Sequence, residues 1–173
     1  MASMNHILAE ISEWKSEVVP IVESVLSAMA KDTSEDQFSW FKSSGDTYYA
    51  LVDVIRNIAY IDALSSESTT DQAREMMSLQ SQFVREYPDM DLIINIERIV
   101  PRLNDLLSLD LLKLALFTKR VKKIYIIGSQ EHFNSFVEAA INIHKKVVDA
   151  DKFQRYESLA DLPQIIKEIE RSF

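Results

Sequence analysis

The stretch Val121-Lys122-Lys123-Ile124-Tyr125-Ile126-Ile127-Gly128-Ser129 decides the fold. Its apolar run lies between a basic pair and a Gly-Ser, is too short for a helix, and predicts a strand buried on both faces. A second run, Leu92-Ile93-Ile94-Asn95-Ile96, lies upstream, and a segment with helical periodicity fills the gap. This is the spacing of a strand-helix-strand unit. Because strands buried on both faces belong to sheets covered by helices, the sequence predicts an α/β fold.

Composition predicts a helix-rich domain with a proper core. The chain has 173 residues, of which 47% are hydrophobic, and it contains two glycines and four prolines. So few glycines and prolines favour long regular elements over elaborate loops. No G-x-G or G-K-[ST] motif occurs near Gly45 or Gly128, which excludes a glycine-rich phosphate-binding loop.

Charge and cysteine content narrow the class of partner. The formal net charge is −8, so we expect neither nucleic acid nor an anionic membrane as the main partner. The chain has no cysteine, which excludes disulfides and thiolate metal sites and is compatible with a reducing cytosol. It shows no export signal and no apolar run of about 18 residues. We therefore expect a cytoplasmic protein with no membrane span and no cofactor.

The N-terminal segment, residues 1–31, predicts an amphipathic helical extension. Its apolar side chains recur at steps of three and four, which is one face of a helix. They are Leu8, Ile11, Trp14, Val18, Val22, Val25 and Met29. Pro20 lies inside the pattern and predicts a kink or a break into two helices. The face either packs on its own domain or forms a homodimer seam, for which Leu8, Ile11, Trp14, Val18, Val22 and Val25 are the candidates.

The rest of the chain, residues 38–173, predicts one α/β domain. Phe38 to Phe41 and Thr47 to Ile55 flank a glycine turn and indicate a hairpin. The segment 58–64 is either a further strand or the approach to a polar loop. Strands are predicted at 92–96, 124–127 and 153–156, and helices at 69–87, 102–118, 130–146 and from 158 onward. The predicted sheet is mixed and mostly parallel, with four or five strands and helices packed on it.

Three segments of this domain resemble a known family in their order and spacing. They are DLIINIERI at 91–99, KRVKKIYIIGSQEHFNSFVEAA at 119–140 and DKFQRYESLADLPQIIKEI at 151–169. Together they resemble the STAS superfamily, the anti-sigma-factor antagonist or SpoIIAA-like fold. The resemblance implies a non-enzymatic module that binds a protein partner in bacterial signalling or regulation.

Many members of that family carry a phosphorylatable serine at the start of the helix after the middle strand. The matching window here, Pro101-Arg102-Leu103-Asn104-Asp105, has no serine or threonine. The resemblance therefore implies a binding surface without the phosphorylation switch, and Asn104 and Asp105 become partner-binding candidates. Asp105 either supplies a permanent phosphate-like charge or stabilises its helix as an acid in the first turn.

A basic cluster precedes the central strand and is a second partner-binding candidate. It consists of Lys119, Arg120, Lys122 and Lys123. It is either a docking patch for an acidic partner or a helix C-terminus followed by a solvated loop.

Other patterns predict little catalytic chemistry. Ser129 is either a helix cap or an anion-binding residue, because a helix begins there at the carboxyl end of a predicted parallel strand. The histidines His6, His132 and His144 fall on different predicted elements without a partner at helical spacing, so we expect no metal site and no enzyme. Two alternatives stay open: a domain that binds a small ligand, nucleotide or anion, and an immunity-type inhibitor, which the acidic charge would fit.

Overall fold

The computed structural model describes residues 1–14, 16–42, 48–64, 75, 78–79, 82–83, 85–98, 121–131, 133–134 and 150–171. A six-stranded sheet organises this part of the chain, with the strands side by side in chain order. The strands are β1 (Phe38–Lys42), β2 (Tyr48–Asp53), β3 (Ile58–Ala63), β4 (Asp91–Asn95), β5 (Lys123–Ile127) and β6 (Phe153–Tyr156). β1, β2 and β3 pair antiparallel, whereas β3 to β6 pair parallel. The predicted mixed α/β class is confirmed.

The predicted number of strands was too low. The segment left open in the sequence forms the full strand β3, which pairs with β2 on one side and β4 on the other. Its identity was obscured because Leu51, Val54, Ile55 and Ile58 also fit helical spacing. A turn at residues 54–57 separates the strands, and Asn57 adopts a φ of 57° there. Asparagine is one of the few residues other than glycine that tolerate this left-handed conformation.

Helices lie at both ends of the described chain. They are α1 (Met4–Glu10), α2 (Val19–Met29) and α3 (Leu162–Arg171), and a 3-10 turn, Ile11–Glu13, follows α1. Pro20 lies in the first turn of α2, where its missing N–H costs no helical hydrogen bond. The predicted break into two helices is confirmed. The described residues between 75 and 86 and between 130 and 134 are also helical.

The alternation of side chains along the strands gives the sheet two different faces. We call one the aromatic face; its buried side chains are Phe38, Tyr49, Leu51, Ile58, Tyr60, Ile93, Tyr125 and Ile127. We call the other the aliphatic face; its buried side chains are Ala50, Val52, Ala59, Ile61, Leu92, Ile94, Ile124 and Ile126.

Crossover connections explain which helices cover which face. Right-handed crossovers that advance along a sheet in one direction place their helices on one side. Leu79 and Phe83 lie between β3 and β4, Phe133 follows β5, and all three pack against the aliphatic face. The aromatic face therefore needs a cover from outside the crossovers, and α1, α2 and α3 supply it.

This arrangement gives the predicted dimerisation residues a place inside one chain. Ile11, Trp14, Val22 and Val25 are buried in the same core cluster as the sheet residues of the aromatic face. Leu8 and Val18 are partly buried and pack against that cluster. Segment 1–31 thus covers the sheet of domain 38–173 rather than offering an apolar seam to a second copy.

The C-terminal strand and helix agree with their sequence pattern. The backbone N–H of Ser158 donates to Asp161 Oδ2 at 3.2 Å, which closes the turn that leads into α3. The inward side chains of α3 are the four predicted from periodicity: Leu162, Ile165, Ile166 and Ile169. The predicted helix at 102–118 lies outside the described residues.

Candidate functional site

A buried polar network lies in the aromatic face where β3 and β4 end. We call it the edge network; its members are Tyr49, Tyr60, Asp62, Asn95, Glu97 and Arg98. The carboxyl ends of parallel strands are the usual position for functional residues in α/β sheets. The edge network is therefore the candidate site that the fold itself selects.

Asp62 is the centre of the edge network. Its carboxylate accepts hydrogen bonds from Tyr49 Oη at 3.0 Å, from Tyr60 Oη at 3.2 Å and from Arg98 Nη1 at 2.9 Å. Its side chain is 0% exposed. Burial raises the pKa of Asp62 to about 6, and the opposing attraction of the Arg98 guanidinium only limits that rise. The structure thus keeps a carboxylate in the core by surrounding it with donors.

The backbone geometry explains why these side chains meet. Tyr60 and Asp62 are two residues apart on β3 and so share one face of the sheet. Tyr49 stands opposite Asp62 in the antiparallel register of β2 and β3. Asn95 stands opposite Asp62 in the parallel register of β3 and β4. The strand registers alone therefore bring the two tyrosines, the carboxylate and the amide together.

Asn95 and Glu97 extend the network to the loop after β4. Asn95 Nδ2 donates to Tyr60 Oη and to Glu97 Oε1, each at 3.1 Å. The backbone N–H of Glu97 donates back to Asn95 Oδ1 at 3.0 Å. The backbone N–H of Leu159 donates to Glu97 Oε1 at 3.2 Å. The loop is thus hydrogen-bonded to β3, to β4 and to the turn before α3.

This arrangement can fix a loop and present a charge at the surface. Both carboxylate oxygens of Asp62 accept hydrogen bonds and the group is buried, whereas Arg98 is partly exposed. The Arg98 side chain is 27% exposed. Charge-assisted hydrogen bonds such as that between Arg98 and Asp62 are stronger than neutral ones and hold geometry well. The network supports positioning better than proton transfer.

A second polar cluster lies at the opposite end of β2. Gln37 Nε2 donates to Met29 O at 3.0 Å and to Asp53 Oδ2 at 2.8 Å. Gln37 Oε1 accepts from the backbone N–H of Lys31 at 3.0 Å. We call this cluster the helix tie, because it joins the end of α2 to β1 and β2. Its hydrogen bonds are internal to the fold, so it has a structural role.

Ser129 lies where its sequence pattern placed it. It follows β5, and its C=O accepts from the backbone N–H of Phe133 at 2.9 Å, inside a helical turn. Arg155 Nη1 donates to Gly128 O at 3.3 Å, which brings a guanidinium beside this junction of strand and helix. Anion binding at Ser129 stays a prediction.

The structure separates the basic candidates from the edge network. Lys123 begins β5, at the end of the strand opposite to Ser129, and Lys122 precedes it on the surface. Lys123 Nζ lies 5.3 Å from the centroid of the Tyr125 ring, within range of a cation-π contact. The remaining partner-binding candidates, Asn104, Asp105, Lys119 and Arg120, lie outside the described residues.

His6 and Glu10 form a pair that the sequence prediction did not include. His6 Nε2 lies 3.0 Å from Glu10 Oε1 across one turn of α1, so His6 does have a partner at helical spacing. Both side chains are exposed. Among the residues that the structure describes, no three histidine, aspartate or glutamate side chains converge in a way that could hold a metal ion. His132 and His144 lie outside those residues.

Sequence reasoning did not identify the edge network. The pair Asp62 and Arg98 is 36 residues apart, and Tyr60 and Asn95 are 35 apart. A usable signal was nevertheless present, because Asp62 and Asn95 are polar residues near the carboxyl ends of two successive apolar strands. Such positions meet at one edge of a parallel sheet.

In the ranges that the structure describes, no helix is both long enough and apolar enough to cross a membrane. Comparisons of the chain with protein-family models, with curated proteins and with solved structures find no significant match.

Proposed function

We propose that this chain is a STAS-like, non-enzymatic protein-protein interaction module of bacterial signalling or regulation, acting in the cytoplasm without a phosphorylatable serine. The observation that carries the proposal is the anchored loop after β4. Glu97 and Arg98 are held by the edge network. Residues 101–105, where the resembled family carries its switch, follow this loop directly in the sequence.

Anchoring of this kind favours recognition of a partner. A surface that is already ordered loses less conformational entropy on binding than a mobile one. The Arg98 guanidinium is fixed by Asp62 at 2.9 Å, and Glu97 is fixed through Asn95 and Leu159. The edge network therefore orders the loop that precedes the partner-binding candidates Asn104 and Asp105 in the sequence.

The internal pairing of the network also supports a role other than catalysis. A general acid or base must reach the proton that it transfers. Asp62 has the most perturbed environment among the described carboxylates near this edge, yet its side chain is 0% exposed. Burial raises the pKa of Asp62, as it does for any carboxyl group placed in a core, so the shift does not by itself indicate a catalytic role.

Asp105 is the residue whose substitution tests the proposed surface. Affinity capture from a bacterial lysate compares the wild type with Asp105→Lys, and Glu35→Lys is the control because it makes the same change of charge at an exposed connector residue. We expect Asp105→Lys to reduce partner recovery about tenfold, equivalent to roughly 1.4 kcal/mol, while the control behaves as the wild type. Equal recovery with all three proteins, each folded by circular dichroism, would reject this surface.

The basic cluster is tested separately. One variant reverses the charge of the whole basic cluster by changing Lys119, Arg120, Lys122 and Lys123 to Glu. The affinity capture is then repeated with this variant. Loss of an acidic partner would assign docking to these residues, since complementary charge chiefly sets the rate and specificity of association. Unchanged recovery of the partner would mean that these four residues only form a solvated segment before β5.

A second candidate function is anion or nucleotide binding at Ser129. Arg155 favours it, because its guanidinium contacts the Gly128 carbonyl beside the start of a helix. Thermal unfolding with phosphate and with nucleotides tests the idea. A ligand at 100 times its dissociation constant should add about 2.7 kcal/mol of stability, and Arg155→Ala should remove that gain. An unchanged melting temperature with every anion would exclude this candidate.

A further inference from the structure

The outer edge of the sheet at β1 is only partly covered. Ala2 forms an antiparallel bridge with Phe38, with Ala2 N donating to Phe38 O at 2.6 Å and Phe38 N donating to Ala2 O at 2.9 Å. Alternate residues of an antiparallel strand direct their N–H and C=O groups to opposite neighbours. Trp40 and Lys42 therefore direct theirs outward, as Phe38 does. Within the described ranges, no strand pairs with Trp40 or Lys42 on this side.

A groove of about 270 Å³ runs beside this edge. Its lining includes Met1, Glu10, Trp40 and Phe41. Trp40 stacks on Trp14 with ring centroids 5.5 Å apart, so it forms a firm wall. The groove thus combines outward backbone groups with aromatic walls and with the exposed Glu10 carboxylate, which lies 3.0 Å from His6 Nε2. An occupant that satisfies all three is an extended segment with a cation beside Glu10 and Trp40 and an apolar side chain at Phe41.

The chain's own β1 carries that combination. When two copies of β1 pair antiparallel about a two-fold axis at Phe41, Trp40 of one copy faces Lys42 of the other. The pair of Trp40 and Lys42 exchanges both N–H···O=C bonds, and the two Phe41 residues form the close, non-hydrogen-bonded pair between them. The pairing extends over Trp40 to Lys42, because Ala2 already pairs with Phe38. Lys42 then approaches Glu10 of the other copy, and the two Lys42 residues do not face each other.

We propose that this edge is a homodimer interface in which two β1 strands join the sheets of two copies. A lysine on an exposed edge strand usually discourages pairing. Within its own chain, Lys42 Nζ lies 5.8 Å from the centroid of the Trp14 ring. In the proposed pairing each Lys42 approaches Trp40 and Glu10 of the other copy instead of the other Lys42, so the same residue favours one specific register. The interface is distinct from the seam predicted along α1 and α2, whose side chains are buried within one chain.

Sedimentation equilibrium of the full chain, from about 10 μM to 1 mM, tests the proposal. We expect a concentration-dependent dimer. Lys42→Pro removes the outward N–H and leaves the bonds between β1 and β2, because proline is tolerated where the N–H faces away from the sheet. We expect it to raise the dissociation constant at least about tenfold. Lys42→Arg is the control and should dimerise as the wild type does.

Charge exchange gives a second test that does not depend on proline. Glu10→Lys alone and Lys42→Glu alone should each weaken the dimer, and the double variant should recover it. Circular dichroism verifies that each variant is folded. If the wild type stays monomeric at every concentration, the proposal is wrong. It is wrong even if a strand from another protein binds this edge. A dimer that is equally stable in folded Lys42→Pro also overturns it.

Discussion

Asp62 is the residue at which burial and pairing compete most directly. Desolvation disfavours its charged form, whereas Arg98, Tyr49 and Tyr60 favour it. Desolvation is the larger effect, and the pKa rises to about 6. Because the pKa in the folded state is higher than in the unfolded chain, the folded state binds the proton more tightly. The resulting stability is fully present below the unfolded pKa of 3.8 and is lost as the pH rises through about 6.

Asp62→Asn should therefore remove part of the pH dependence of folding. As the pH falls from 7.5 to about 4.5, the wild type should gain about 2 kcal/mol relative to the variant, since each pKa unit is worth about 1.4 kcal/mol and the full gain of about 3 kcal/mol is reached only below the unfolded pKa. Urea unfolding of both proteins at several pH values measures the difference. A difference that is constant, or that grows with pH, would contradict the assignment of this pKa.

Asn57 adopts a left-handed backbone conformation whose energetic cost can be measured separately. Its φ of 57° suits asparagine or glycine, and its Nδ2 donates to Pro88 O at 3.1 Å. Asn57→Ala and Asn57→Gly both lose that hydrogen bond, but only alanine adds the steric cost of the left-handed region. We expect the alanine variant to be less stable than the glycine variant by about 1 to 2 kcal/mol in urea unfolding. Equal stabilities would show that this turn relaxes without cost.

At the scale of elements, the helix tie holds α2 on the sheet. Gln37 is 0% exposed and makes hydrogen bonds to Met29, Lys31 and Asp53. Backbone groups at the end of a helix have no intrahelical partner, so a side chain that satisfies them stabilises the end. The contact therefore sets both where α2 ends and how it meets β1.

Gln37→Leu should be costly even though leucine fills a similar volume. It leaves the Met29 carbonyl and the Lys31 N–H without this partner, and each orphaned group costs about 1 to 3 kcal/mol. We expect a total loss of about 3 kcal/mol. Gln82→Leu is the control at an exposed position and should change stability by less than about 0.5 kcal/mol. Chemical denaturation of the two variants measures both losses of stability. Similar losses would show that the helix tie does not stabilise the attachment of α2 to the sheet.

The elements that the sequence predicted well are those whose signal is local. β4 and β5 are apolar runs with clear limits, and the inward positions of α3 repeat with the helical period. β3 was left open because its run of mixed residues follows Val54 and Ile55 without a glycine. The edge network required knowledge of strand order and register, because Asp62 meets Tyr49, Asn95 and Arg98 only after three strands align. No pattern within one segment contains that information.

The whole molecule depends on both ends of the chain. Described residues of the connections between strands, among them Leu79, Phe83 and Phe133, pack on the aliphatic face, and α1, α2 and α3 cover the aromatic face. From the N-terminal segment, Ile7, Ile11, Val22, Val25, Leu26 and Met29 are each 0% exposed. Burying an aliphatic side chain contributes about 1.5 to 3 kcal/mol, and a folded domain retains only about 5 to 15 kcal/mol in total. The burial that segment 1–31 supplies is therefore comparable with the whole net stability of a folded domain.

The most direct test is removal of residues 1–31, followed by urea unfolding monitored by circular dichroism and by tryptophan fluorescence, which comes from Trp14 and Trp40 in the full chain and from Trp40 alone in the shortened one. If the aromatic face requires its N-terminal cover, the shortened chain should show no cooperative transition and should aggregate, because it exposes Tyr49, Tyr60 and Phe38. The full chain should unfold in one transition that both probes share. A shortened chain that is monomeric and unfolds cooperatively near the wild-type midpoint would contradict the claim that both ends of the chain close one core.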